Sequence, residues 1–395
     1  MSIQMLVLLV PVIFGLMGFA IDLGRLYLIR GELTQTAESM ASAAAARLIG
    51  TETALADATI AARLNAGNFN FGAQPIGESG SFLASEIPDP TYFATAASAV
   101  GDTAGDAGGT TAKYVRVSVT AEAPLLFWGL LSLGQQRKTS IAAVGVAGIS
   151  APLCTACGIE PFAIAALSTE DTTDFGFSVG TKYTLGFQCN GFPVPATLPG
   201  TSQRIPYLLI DRFNDTSTFD ESQQLYRIGA SGLLPGSCLT VAGQEIGWVS
   251  AQPTGCNTNN VPAAVTSIRC GLWTRFDATP PGACVNVTDV ETLATAYEVD
   301  TDLTDIDDYT TYTGAGRRVI TIPIVDVLSP AGPMTVLGFR QFLVDPNQGD
   351  LNISIADTNG RFVVLYIGAP VPIKQGRFDG GCQLTNGPGK VVLHR

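Results

Sequence analysis

Between Ile3 and Ile21 the chain carries one polar side chain, Gln4. A helix over that run, rising about 1.5 Å per residue, matches a hydrocarbon layer about 30 Å thick. Pro11 would kink such a helix without forbidding it. The flanks distinguish an anchor from a removable signal peptide, which has a basic start, a shorter apolar core and a small-x-small cleavage site close behind. Here Asp22 and Arg25 follow the run, and the stretch "ASAAAARL" begins only at Ala41. The run therefore reads as a retained, single transmembrane anchor.

Beyond Asp22, apolar or small residues recur at Leu23, Leu26, Leu33, Ala37, Met40, Ala44 and Leu48, close to the three-four spacing of one helical face. The helix is expected to leave the membrane and continue to about Ile49. Its face becomes small at Ala37, Ala41, Ala44 and Ala45, which allows another backbone to approach closely. Two occupants fit. One is an equivalent helix, which makes this a candidate self-association face; the other is the chain's own β domain.

Composition removes several function classes. The net charge is −12 and charged residues make up 14% of the chain, so no basic field is available for nucleic acid. Histidine occurs once, as His394, which removes most general-base and imidazole-ligand readings. No G-x-S-x-G elbow, H-E-x-x-H, P-loop or dinucleotide fingerprint stands in a fitting context. No catalytic, cofactor-binding or metal-ligating residue is assigned, no cofactor is required, and an enzyme is not expected.

Eight cysteines, Cys154, Cys157, Cys189, Cys238, Cys256, Cys270, Cys284 and Cys382, all follow residue 150. An even count confined to one region reads as disulfides formed outside the cytosol, with connectivity not deducible from sequence. Arg25 and Arg30 lie after the span with no basic residue before it, which by the positive-inside rule alone points the other way. The cysteines outweigh it. "CTAC", at Cys154 and Cys157, suits a disulfide anchor, a redox dithiol or half of a zinc site, and the disulfide reading is favoured. Cys238, Cys256, Cys270 and Cys284 punctuate a region poor in apolar runs, where local cross-links would stand in for a core.

Residues 51–66 suit a second alanine-rich helix, and Gly67–Thr111 reads as irregular, exposed chain. "YVRVSVTA" alternates Val115, Val117 and Val119 with Arg116, Ser118 and Thr120, the pattern of a half-buried strand. "PLLFWGLLSLG" is too short to span a membrane, and Pro124 suits the first turn of a helix. That helix packs on the sheet or lies on the bilayer with Phe127 and Trp128 at the interface, the former being favoured.

After Ile149 come apolar runs such as "RIPYLLIDRF", "RRVITIPIVDVL", "GFRQFLVD" and "RFVVLYIGAPV", separated by turn residues. They recur without amphipathic helices between them, so a mainly antiparallel sandwich or barrel-like β domain is expected. In "EVDTDLTDIDDY", Glu298, Asp300, Asp302, Asp305, Asp307 and Asp308 read as a solvated acidic loop in preference to a calcium site, since the EF-hand order is missing.

The stretch "GLMGFAIDLGRLYLIRGELTQTAESMASAAAARL" resembles the opening of the TadE/TadG-like proteins of the bacterial tight-adherence (Flp-type) pilus system. Gly18, Ala20, Asp22, Gly24, Arg25, Tyr27, Gln35, Ala37, Glu38 and Ala43–Ala46 carry the likeness. It continues through "ATIAARLNAGNFNFG" and the strand-helix-strand unit "YVRVSVTAEAPLLFWGLLSLGQQRKTSIAAVGVAG" and fades after residue 150. The family's basic residues before the span and a prepilin-type leader are not visible. The metal motif of a von Willebrand A-type domain, present in longer relatives, is approached by "DTSTF" but broken at Phe219, so that site is not assigned.

The residues and the resemblance together give an α+β chain in three parts: residues 1–50 as anchor and continuing helix, 51–150 as a helix and small sheet that the resemblance makes TadG-like, and 151–395 as a disulfide-bonded, β-rich extracytoplasmic domain read from the cysteines and apolar runs. Its implied role is a structural or assembly component of the pilus, in the cytoplasmic membrane, with other pilus or secretion components as partners. The alternative is a surface adhesin or ligand-binding module on the same anchor.

Overall fold

A computed structural model describes residues 2–66, 89–103, 107–125, 127, 137–187, 197–209, 238–241, 245–246, 271–277, 299–329, 334–346, 360–378 and 382–394. Along the chain come α1 (Ser2–Ala45), α2 (Ala54–Leu64), β1 (Thr91–Phe93), α3 (Ala96–Gly101), β2 (Tyr114–Leu125) and β3 (Arg137–Ile149). They are followed by β4 (Thr155–Cys157), β5 (Phe162–Ala165), β6 (Lys182–Phe187), β7 (Arg204–Leu209), β8 (Cys238–Thr240) and β9 (Glu245–Ile246). The last are β10 (Val319–Val325), β11 (Met334–Asp345), β12 (Phe362–Tyr366), β13 (Gly376–Arg377) and β14 (Val391–His394). One compact unit comprises Met1–Leu48, Ala54–Ile149 and Val391–Arg395; the other comprises Ile49–Thr53 and Ser150–Lys390.

The first unit is a four-stranded antiparallel sheet, in the order β1-β2-β3-β14, with α1 and α2 on one face. On β2, Val115, Val117, Val119, Ala121 and Ala123 point to the helices and are buried, as the pleat requires of alternate residues. Arg116, Ser118, Thr120 and Glu122 take the other face. The register with β3 runs from Tyr114 opposite Gly148 to Leu125 opposite Arg137. Pro124 is thus a strand residue opposite Lys138, not the first turn of a helix.

Helix α1 approaches this sheet unusually closely. A Cβ placed on Gly145 of β3 would lie 2.4 Å from the carbonyl carbon and oxygen of Ala37 and 2.6 Å from the Glu38 nitrogen. Backbone therefore meets backbone, and glycine on the strand opposite alanine on the helix is what makes that distance attainable. Around the contact, Ile29, Leu33, Met40, Ala41 and Ala44 join the β2 valines in one core.

Gly67–Thr111 is not irregular throughout. Residues 67–88 and 104–106 fall outside the described residues, but β1 pairs with β2 and buries Tyr92 and Phe93. Thr95 caps α3, its hydroxyl accepting from the Ser98 nitrogen at 3.2 Å, and the helix ends at Asp102 in the left-handed conformation, φ 52°. A six-residue helix and a three-residue strand are too short to give a period against a background of Gly, Ser and Asp.

In the second unit, β10, β5, β7, β6, β12 and β11 follow one another, and pairing of β11 back to β10 closes the ring into a six-stranded barrel. Most pairings are antiparallel, but β5 with β10 and β6 with β7 are parallel. Alternate residues fill the interior: Ile320, Ile322 and Ile324 from β10, Phe342 and Val344 from β11, Phe362, Val364 and Tyr366 from β12, and Tyr183, Leu185 and Phe187 from β6. Outside, Ala163, Leu208, Val336 and Phe339 join a second core with Ala156 and Leu239 of the small β13-β4-β8 sheet. Burial on both faces explains why these strands read as continuous apolar runs.

Two segments cross a simple boundary at residue 150. Val391–His394 belongs to the first unit, pairing with β3 from Val391 opposite Ile149 to His394 opposite Val146, so the part after residue 150 does not lie wholly in the β-rich unit. Ile49–Thr53 belongs to the second unit, where the Tyr309 hydroxyl donates to the Ile49 carbonyl at 2.9 Å.

Gly145→Val should destabilise the first unit by about 1–3 kcal/mol, because the added carbons have no space between strand and helix. Gly31→Ala, on α1 where nothing lies within 4 Å, should instead stabilise it by about 0.5–1 kcal/mol. Denaturant unfolding of the detergent-solubilised chain measures both; equal effects would contradict the close contact.

Candidate functional site: the N-terminal helix and the acidic loop

Helix α1 runs unbroken for 44 residues with Pro11 inside it, and it lies in two environments. It is the one helix among the described residues that is long and apolar enough to cross a membrane, and only 17% of its most apolar window is buried. Met5, Val7, Val12, Phe14, Leu16, Met17, Phe19 and Ile21 are all exposed. A helix at the core of a globular domain would have these side chains covered.

A specific contact lies at the end of the apolar run. Asp22 is 7% exposed, and its two carboxylate oxygens accept from the Phe127 backbone nitrogen at 3.1 and 3.3 Å. One helical turn earlier, a Cβ on Gly18 would lie 1.8 Å from the Phe127 ring. The ring therefore occupies the space that glycine leaves, while the carboxylate holds the backbone beside it. Gly18 and Asp22 are four apart and share a face, which was the only trace of this contact in the sequence. Residues 128–136, including Trp128, lie outside the described residues.

From Ile29 onward the helix is covered. Leu33, Ala37, Met40, Ala44 and Leu48 are at most 1% exposed, Leu26 packs against the same core as a partly buried residue, and Leu23 remains exposed. The candidate self-association face is thus corrected: from Leu33 to Leu48 it is occupied by the chain's own sheet. Of its small residues, Ala37 serves the approach to Gly145.

Of the eight cysteines, Cys154 bonds Cys382 and Cys157 bonds Cys238. "CTAC" is therefore neither a redox dithiol nor half of a zinc site; its two members tie β4 in different directions. Cys157 and Cys238 stand opposite each other in register on β4 and β8. Cys238, expected in a local cross-link, is joined to a residue 81 positions away. Cys189, Cys256, Cys270 and Cys284 lie outside the described residues, as do Glu298 and "DTSTF".

The acidic stretch is solvated only in part: Asp307 and Asp308 are exposed and Asp305 is half-buried, but its first two aspartates are not solvated. Asp300 and Asp302 are 1% and 7% exposed. Asp300 accepts from the Tyr312 hydroxyl at 2.5 Å and from the Arg318 nitrogen at 2.9 Å. Asp302 accepts from the backbone and hydroxyl groups of Thr304 and Thr313. Arg318, fully buried, donates to the carbonyls of Asp302, Thr304 and Val344, tying the loop to β11. Lys182 on β6 meets Asp305 at 2.5 Å and Asp307 and Asp345 at 2.7 Å, which uses all three ammonium donors. Neither Lys182 nor Asp345 carries a sequence signal for this role. Among the described residues no group of three or more His, Cys, Asp or Glu is placed to hold a metal ion.

Burial pushes the Asp345 carboxyl up to about 7, and a hydrogen bond shared with Asp305 adds to this against the pull of Lys182. Burial would lower Lys182, but its three carboxylates prevail and raise it. Burial would likewise raise Asp302 and Asp305, yet hydrogen bonds to Thr304 and Thr313 hold the first below its ordinary value, and those to Asp345 and Lys182 hold the second there. Glu160, in a buried ion pair with Arg275, is raised by burial. The cluster is an electrostatic clasp that ties the acidic loop to β6 and β11.

No family model, curated protein or solved structure matches the chain.

A carboxyl raised in the folded state binds a proton that the unfolded chain has already released, so its stabilisation disappears as pH rises between the two values. For Asp345 that window runs from 3.8 to about 7. The lowered Asp302 and Asp305 act oppositely, losing their contribution as pH falls below 3.8. Stability of the second unit should therefore be greatest near about pH 4 and decline to about pH 7. Asp345→Asn should flatten that decline, leaving the part due to Glu160. Chemical denaturation across this range measures it; an unchanged slope in the variant would contradict the assignment.

Proposed function

We propose that the chain is an envelope protein anchored in the cytoplasmic membrane by the first half of α1, and that it serves as a structural or assembly component of a tight-adherence-type pilus. The observation that carries the anchor is the exposed apolar surface from Met5 to Ile21. The two disulfides support an oxidising compartment for the second unit. The pilus assignment rests on the resemblance of the first 150 residues, Gly18 and Asp22 among them.

The role is mechanical. The apolar helix holds the protein in the membrane, the first unit forms a rigid collar on the same helix, and the second unit makes contacts outside. No catalytic step belongs to this reading. The single histidine, His394, stacks edge-on against Tyr114 at 5.2 Å, which gives it a packing role.

A second reading has one observation in its favour. With residues 33–48 of α1 covered by the chain's own sheet, contacts with other molecules fall more heavily on the second unit, as they would in a surface adhesin on the same anchor.

Protease treatment of intact cells and spheroplasts, with a blot of sheared surface filaments, tests both. Cleavage of the second unit in spheroplasts and its recovery with sheared filaments are expected. Cleavage without recovery would favour the adhesin, and protection in spheroplasts would place the unit in the cytosol and end both readings.

A further inference from the structure

We infer that the chain touches the bilayer a second time, through Phe127, which Asp22 clamps to the anchor so that the Phe127 ring lies against the upper acyl chains of the lipid. The inference rests on the anchor reading and extends it from a simple tether to a fixed seating of the first unit on the membrane.

Three observations carry it. Among the described side chains and glycines from Met5 to Ile21, Gly18 is the buried one, and what covers it is the Phe127 ring. Its neighbours Phe14, Met17, Phe19 and Ile21 are each more than half exposed. If that apolar stretch is in lipid, whatever lies on Gly18 is in lipid with it. The ring is itself partly exposed, so it has a face left for acyl chains. The depth follows from the helix: Gly18 precedes Asp22 by four residues, about 6 Å toward the membrane interior.

The backbone chemistry agrees. An N–H entering a low-dielectric layer without an acceptor costs several kcal/mol. The Phe127 nitrogen has its acceptor in the Asp22 carboxylate at 3.1 Å. Reciprocally, a carboxylate at the end of an apolar span is costly unless donors meet it. Each group thus supplies what the other needs at this depth. Because β2 ends at Leu125, two residues before Phe127, the clamp also fixes how the sheet meets the membrane surface.

The test uses the full chain with the photoreactive residue p-benzoylphenylalanine in place of Phe127 or, separately, Phe14, reconstituted into vesicles of radiolabelled phosphatidylglycerol and phosphatidylethanolamine. Lipid adducts from both positions are expected. Asp22→Ala should lower the adduct at position 127 by about three-fold or more, as the clamp's hydrogen bonds are lost, and leave that at position 14 unchanged. Adduct at position 14 without adduct at 127, or a position-127 adduct indifferent to Asp22→Ala, overturns the inference and leaves the anchor standing. No adduct at either position overturns both.

The unmodified chain gives a reading free of the bulky label. In nanodiscs, lipid spin-labelled on the upper acyl chain should broaden the Phe127 amide resonance at least as strongly as that of Asp22. A Phe127 resonance left sharp overturns the inference.

Discussion

The contact between Gly145 and the backbone at Ala37 sets the geometry of the first unit. A helix normally stands off a sheet by the length of its side chains. Here the strand gives up its side chain and the helix keeps only a methyl, so the two backbones touch. The rest of the core follows: larger residues such as Ile29, Leu33 and Met40 fill the space to either side, and the β2 valines meet them from below. Because the same helix continues into its exposed apolar half, the sheet is positioned along that helix by packing rather than by a linker.

The second unit is built on a different principle. Its closed barrel has an aromatic interior, with Phe162 and Tyr207 5.0 Å apart and Phe342 and Tyr366 5.2 Å apart. Its polar interior work is done by buried arginines. Arg318 satisfies the carbonyls of the acidic loop. Arg340 donates to carbonyls of Phe339, Thr172, Thr173 and Asn386 and stacks on Phe175. Arg275 pairs with Glu160. A guanidinium can hold several backbone acceptors at once in a fixed plane, which suits loops that lack ladder partners. Removing one such side chain would leave several buried carbonyls unsatisfied.

Much of this was legible where a period or a count exists. Alternation at Val115, Val117 and Val119 marked β2, the apolar runs marked β7, β10, β11 and β12, and the even cysteine count marked disulfides. What escaped has no local signature. Nothing about Lys182 announces three carboxylate partners drawn from residues 305–345, and the pairing of Cys157 with Cys238 depends on strand register. The acidic stretch was misread at its start because charge density suggests solvent, which Asp307 and Asp308 do meet, whereas Asp300 and Asp302 are buried and satisfied by donors supplied from Thr304, Tyr312, Thr313 and Arg318. The small face of α1 admitted two occupants, and only the three-dimensional placement of Gly145 selects between them.

Strand β14 gives the chain an order of completion. The first unit is assembled from residues near both ends of the sequence, since Val391–His394 supplies the strand that covers the free side of β3. Until synthesis has delivered those residues, β3 presents unpaired amides and carbonyls, a template for the wrong strand. The barrel, by contrast, draws all its strands from residues 162–366 and can close first. The sheet of the first unit is therefore finished only after all the residues of the barrel have been made, so a chain truncated in its last few residues would keep its barrel yet leave an open, adhesive edge on β3.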